Sequence, residues 1–106
     1  MPEDRPVGPV IAERVLSAQI SDNEAMDVVV RLFAPEKIED GYCRCYWELV
    51  APDYRKLRYA AGIDGFQAIE LAYKMIGAVL WSVAREKGYR LTFEGSEDIG
   101  FREYQD

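Results

Sequence analysis

Apolar and polar residues alternate through most of the first half of the chain, and a period of two predicts strands. Val10 to Ile20 is rich in Val, Ile and Leu, and Ser21-Asp22-Asn23-Glu24 is a turn cluster suited to a hairpin. Ala25 to Ala34 reads as the returning strand. Met26, Val28, Val30 and Leu32 share one of its faces, while Asp27 and Arg31 mark the other. Pro35 to Gly41 is an acidic loop. Tyr42 to Ala51 predicts a third strand, with Cys43, Cys45, Trp47 and Leu49 inward and Arg44 and Glu48 outward. Pro52-Asp53 is a turn signal, and Arg55 to Ala61 predicts a fourth strand with Leu57 and Tyr59 inward. Such short connections favour an antiparallel meander.

Beyond Gly62 the period lengthens to three and four. Asp64 is a good helix N-cap, and Gln67 three residues on completes a capping-box pattern. Phe66, Ile69, Tyr73, Ile76, Leu80 and Val83 then recur along one face. Gly88 suits the left-handed position after a helix, with Tyr89 folding back on Ala84. A helix from Asp64 to Gly88 is about 35 Å long, against about 23 Å for a seven-residue strand, so it crosses the sheet diagonally or overhangs it. Arg90 to Glu94 is strand-like again, Gly95 to Gly100 is an acidic turn, and Ile99 to Phe101 is a last extended piece. The expected fold is therefore α+β: a four-stranded antiparallel meander packed against one long helix, followed by a short C-terminal strand or extended tail. Residues 1–8 read as a flexible lead-in and 9–106 as one domain, the size a single core serves.

Composition narrows the chemistry. An apolar fraction of 49% with 30% charged residues is ordinary for a globular chain. Thirteen basic against nineteen acidic residues give a net charge of -6, which repels a phosphate backbone. The only basic cluster, Arg55, Lys56 and Arg58, is too small to reverse that, so no nucleic-acid partner is expected. The chain contains no histidine, which removes Ser-His-Asp and Cys-His catalysis and nearly all zinc sites. No cofactor motif occurs: neither GxxxxGK[ST] nor GxGxxG is present. The polar, proline-rich opening is not expected to be a secretion signal, and Glu70, Lys74, Arg85 and Glu86 interrupt the helix too often for a membrane span. A cytoplasmic protein is the expectation.

Several residues invite chemistry, each with a plainer reading. Cys43 and Cys45 point the same way from a strand, but a soft metal site needs more ligands and an i, i+2 disulfide fits a strand poorly; two buried small hydrophobes are favoured. Glu94, Glu97 and Asp98 form a carboxylate-rich loop that could hold a cation, but its acids lack the regular alternation of a calcium loop and a solvated turn is favoured; Asp22 to Asp27 reads as a hairpin turn. The many tyrosines and tryptophans suit a core or an oligomer contact. Gly62 and Gly65 bracket a helix start that would attract anions, had Asp64 not put its own charge there. No serine has a basic neighbour that would make it a nucleophile.

The run from Gly62 to Ala72, with Met75-Ile76-Gly77-Ala78 behind it, the Ile11-Ala12-Glu13-Arg14 opening and the strand centred on Cys45 together resemble a family of small bacterial domains of unknown function. The resemblance runs from about Ile11 to Phe101 and implies a compact strand-then-helix domain; it brings no activity, ligand or catalytic residue with it. The helix face opposite the main stripe, with Ala68, Leu71, Met75, Ala78 and Val79, is apolar where a helix on a single sheet should be polar. Either the C-terminal tail or another subunit is expected there, and self-association through Leu71, Met75, Ala78 and Val79, as a homodimer, is the sharper expectation. The function expected is a non-enzymatic interaction module that binds a protein partner; an immunity protein against a basic toxin is one example by analogy. The alternative is a small enzyme or ligand-binding domain with carboxylates and tyrosines in a helix–sheet pocket, using Glu13, Glu48, Glu70 or Glu94 near Arg14, Arg44 or Arg58.

Overall fold

The computed structural model describes residues 5, 6 and 8–103. Residues 1–4 and 7 of the expected lead-in, and 104–106 at the end of the expected domain, lie outside the described residues. The chain forms β1 (Val10–Ser21), β2 (Glu24–Phe33), a two-residue β3 (Glu36–Lys37), β4 (Cys43–Ala51), β5 (Tyr54–Gly62), α1 (Gly65–Lys87) and β6 (Arg90–Thr92). All strand pairs are antiparallel and belong to one sheet. β5 takes one edge of β4 along its whole length, from Cys43↔Gly62 to Ala51↔Tyr54. The other edge of β4 is shared by β2 (Leu32↔Trp47) and β3 (Glu36↔Arg44). Pro35, with no N–H to donate, breaks the line between them. The expected acidic loop therefore begins with a short strand. After the helix, β6 returns to pair with the far side of β1, Ala18↔Leu91. The meander is thus extended at its first strand, and the sheet is α+β with one long helix.

Register decides which side chains face α1. On β2, Val28 and Val30 are buried, and on β4, Cys45, Trp47 and Leu49 are fully buried, as their alternation predicts. β5 corrects the expectation. Because Tyr46 pairs with Tyr59 and Glu48 with Leu57, those β5 residues share the outer face with Tyr46 and Glu48. Ala60 fills the inner side, where a small residue lets the helix approach.

The helix limits are those the caps require. Asp64 has an extended backbone (φ -150°) and its carboxylate accepts the Gln67 N–H at 2.8 Å, while the Gln67 side chain accepts from the Ile63 N–H at 2.7 Å. Gly88 is left-handed (φ 72°), and the Tyr89 N–H reaches the Ala84 carbonyl at 2.8 Å, the predicted fold-back. The buried row is Ala68, Ala72, Ile76, Leu80 and Ala84, a strict four-residue step. Such rows lie about 26° off the helix axis, so α1 crosses the sheet obliquely, running back from the end of β5 toward the β4–β5 turn. The predicted stripe is corrected at its N-terminal end: Phe66 is 88% exposed, and Ala68, assigned to the opposite face, is fully buried. A step of four drifts away from a period of 3.6, so a face chosen at one end is not the contact face at the other.

The tail closes the core beside the helix. Glu94 and Gly95 both have positive φ, which suits a tight hairpin corner between the bridged residues Phe93 and Ser96. Ile99 and Phe101 then enter the core with Leu16, Val30 and Ile76. The Trp81 indole N–H donates to the Phe101 carbonyl at 2.8 Å, and the Tyr73 hydroxyl donates to that of Gly100. The Arg14 guanidinium donates to the Ile99 carbonyl at 2.9 Å and lies over the Phe93 and Phe101 rings. The expected extended tail is therefore a packed part of the fold. It lies on the Tyr73, Gly77 and Trp81 flank of α1, not on the flank of Leu71 and Met75.

Candidate functional site

The outer sheet face carries a row of alternating charge built by register. Glu13 pairs with Arg31 across β1 and β2, and Arg31 with Glu48 across β2 and β4. Arg31 donates to Glu13 at 2.7 Å and to Glu48 at 3.2 Å, and Arg55 meets the other Glu48 oxygen at 2.5 Å. The hydrogen bonds that Arg31 donates to Glu13 and then to Glu48 raise its pKa above the ordinary value. Glu48 is 6% exposed although it points away from the helix, so its charge is held by two guanidiniums rather than by water. Beside this row Arg44 donates to Glu36 and lies over the rings of Tyr46 and Tyr59, which are 5.3 Å apart. The arrangement locks strands in register. It presents no free acid–base pair.

The remaining candidates separate into fixtures and surface. Cys45 is buried, donates weakly to the Phe33 carbonyl, and has its thiol pKa pushed up to about 11 by burial, so it is a poor nucleophile; Cys43 is half-buried and also free. Among the described residues no group of His, Cys, Asp and Glu converges as a metal site. The loop carboxylates Glu94, Glu97 and Asp98 are exposed; Asp98 accepts the Gly100 N–H, and Glu97 faces Arg90 at 4.0 Å. Glu70 is exposed on the helix. Glu13 and Arg14 line a cavity of about 120 Å³ with Val30, Leu32, Ile76 and Phe101, well short of the ~300 Å³ at which ligand pockets begin. At the other end, Lys87 and Tyr89 both reach Asp53 (3.0 and 2.5 Å), tying the helix end to the β4–β5 turn.

All four residues of the expected interaction strip are half-buried. Leu71, Met75 and Val79 are half-buried and packed against the core. Ala78 and Val79 instead line a groove of about 370 Å³ between the second half of α1 and β5, with Val83, Lys56, Arg58 and Glu86. Among the described residues β5 pairs only with β4, and no strand lies on its outer edge, nine residues long. Lys56 and Arg58 form no ion pair among the described residues, whereas Arg55 pairs with Glu48 on the other face of the sheet. The small basic cluster seen in the sequence is thus a basic sheet edge beside a groove of mixed lining, with Ala78, Val79 and Val83 next to Ser82 and Glu86. Sequence reading missed the edge because strand order is not written in any local pattern. The signal that could have suggested it is the density of Arg and Lys on one strand, a common device on exposed edges.

An antiparallel sheet covered on one side by a single long helix and a latched tail, with an open basic edge, defines a small α+β domain. A family model described as a domain of unknown function, DUF6968, matches residues 12–103, and the chain belongs to that family. Searches of the curated proteins and of the solved structures found no significant match. No helix among the described residues is long and apolar enough to cross a membrane.

Proposed function

We propose that this domain is a non-enzymatic interaction module that binds a protein partner. The observation that carries the reading is the unpaired β5 edge with the Ala78, Val79 and Val83 groove beside it. An edge strand offers backbone N–H and C=O groups already aligned for another strand, and a groove along it offers places for side chains. Two observations weigh against self-association as the main role. Leu71 and Met75 are half-buried against the core, and two β5 edges brought together would set Arg55, Lys56 and Arg58 against their own copies. The enzyme alternative has less support, because the cavity that Glu13 and Arg14 line is small and Arg14 is engaged with Ile99 and two rings. A cytoplasmic setting, and a bacterial one, accord with two free cysteines and with the family resemblance.

Affinity purification of the tagged chain from its native host, followed by native mass spectrometry, tests the reading. A stoichiometric protein partner is expected; recovery of the chain alone at cellular concentration contradicts it.

A further inference from the structure

We propose that the β5 edge takes an extended acidic segment of a partner protein as an added strand, with glutamates at alternate positions and apolar residues between them. This deepens the proposed binding role and rests on it. The alternation follows from register. Arg55, Leu57 and Tyr59 face the outer side of the sheet, while Lys56 and Arg58 face the inner side and line the groove. A strand laid on β5 sends successive side chains to the same two sides. Its inner residues stand opposite Lys56 and Arg58 and over Ala78, Val79 and Val83, so a side chain with an aliphatic stem and an anionic end suits both. Its outer residues meet Leu57 and the ring of Tyr59, which is 42% exposed, and these call for apolar partners.

The charge pattern selects against other occupants. Among the described residues Glu86 is the sole acid lining the groove, against Lys56 and Arg58. A second β5 edge would bring cation to cation. The net charge of -6 slows approach of an acidic partner at long range, but beyond about 10 Å that field is screened at physiological salt, and contact is decided locally.

The probe is a capped peptide of about ten residues alternating Glu and Val, beside a Lys–Val counterpart and a Glu–Val version with alternate backbone amides methylated. Binding is read by fluorescence anisotropy, and its place by hydrogen exchange. The Glu–Val peptide should bind and slow exchange across Tyr54–Gly62. The Lys–Val peptide should bind about tenfold more weakly or worse, and methylation should abolish binding, because charge alone does not add a strand. Lys56→Glu with Arg58→Glu should reverse the preference. If that variant misfolds by circular dichroism, Lys56→Gln with Arg58→Gln replaces it and should weaken Glu–Val binding about tenfold.

Equal binding of the methylated peptide, protection away from β5, or β5 protection by self-association without peptide each overturns the proposal. A native partner recovered with β5 left unprotected removes this inference while the binding role stands. If no partner is recovered and no peptide binds, both fall.

Discussion

A β-carbon built on Gly77 would lie 2.2 Å from the carbonyl oxygen of Arg102. The tail backbone passes directly over the helix there, so the glycine in mid-helix is a contact requirement. Replacing a helical glycine by alanine ordinarily stabilises by about 0.5–1 kcal/mol. Here Gly77→Ala should destabilise by about 2 kcal/mol, because it lifts the tail and partly exposes Ile99 and Phe101. Urea denaturation checks the sign, and a more stable variant would show that the tail is not seated on α1.

The buried Glu48 makes a second test. Glu48→Gln leaves Arg31 and Arg55 without their shared carboxylate, and both guanidiniums have water nearby, with side chains 33% and 64% exposed. Solvent screening therefore holds the expected loss to about 1–2 kcal/mol, below the cost of breaking a fully buried pair. A double-mutant cycle with Arg31→Gln should return a coupling of about 1 kcal/mol; additive effects would mean the row does not act as a unit.

Asp53 ties the helix end to the β4–β5 turn, and its pKa is lowered by the Tyr89 hydroxyl and then by Lys87. A lowered carboxylate stabilises the fold above its unfolded pKa of about 3.9 and loses that contribution as pH falls through the folded value. Tyr89, hydrogen-bonded to Asp53, has its pKa raised, so its contribution holds below about 10 and is lost as pH rises further. The stability difference between the wild type and Asp53→Asn should thus be level between about pH 5 and 9 and shrink on both sides. Chemical denaturation at stepped pH reads it, and a difference that grows in acid would refute the link.

Burial of Cys45 predicts selective thiol chemistry. At about pH 8 a disulfide reagent should label no more than Cys43 in the folded protein, and Cys45 only after unfolding. Equal labelling of both without denaturant would contradict the packing of β4 under α1.

Much of this architecture was legible because its signals are local. The caps at Asp64 and Gly88 and the alternation on β2 and β4 need only neighbouring residues. What failed was relational. Leu57 and Tyr59 look as apolar as a core pair, yet pairing with Glu48 and Tyr46 turns them outward. Phe66 heads the most hydrophobic-looking stripe but stands in water, since close helix–sheet contact selected the small residues Ala68 and Ala72. The same holds for the candidate site. Arg55, Lys56 and Arg58 were visible as a cluster, whereas their place on an unpaired edge beside Ala78 and Val79 depends on which strands lie together.

The most direct measurement is the hydrogen-exchange footprint of the domain in complex with a partner purified from its native host. The account predicts slowed exchange along Tyr54–Gly62 and over the helix residues Ala78 to Val83, with the Glu94–Asp98 loop unchanged. Protection centred on that loop or on the outer sheet face, with β5 exchanging as in the free protein, would contradict it.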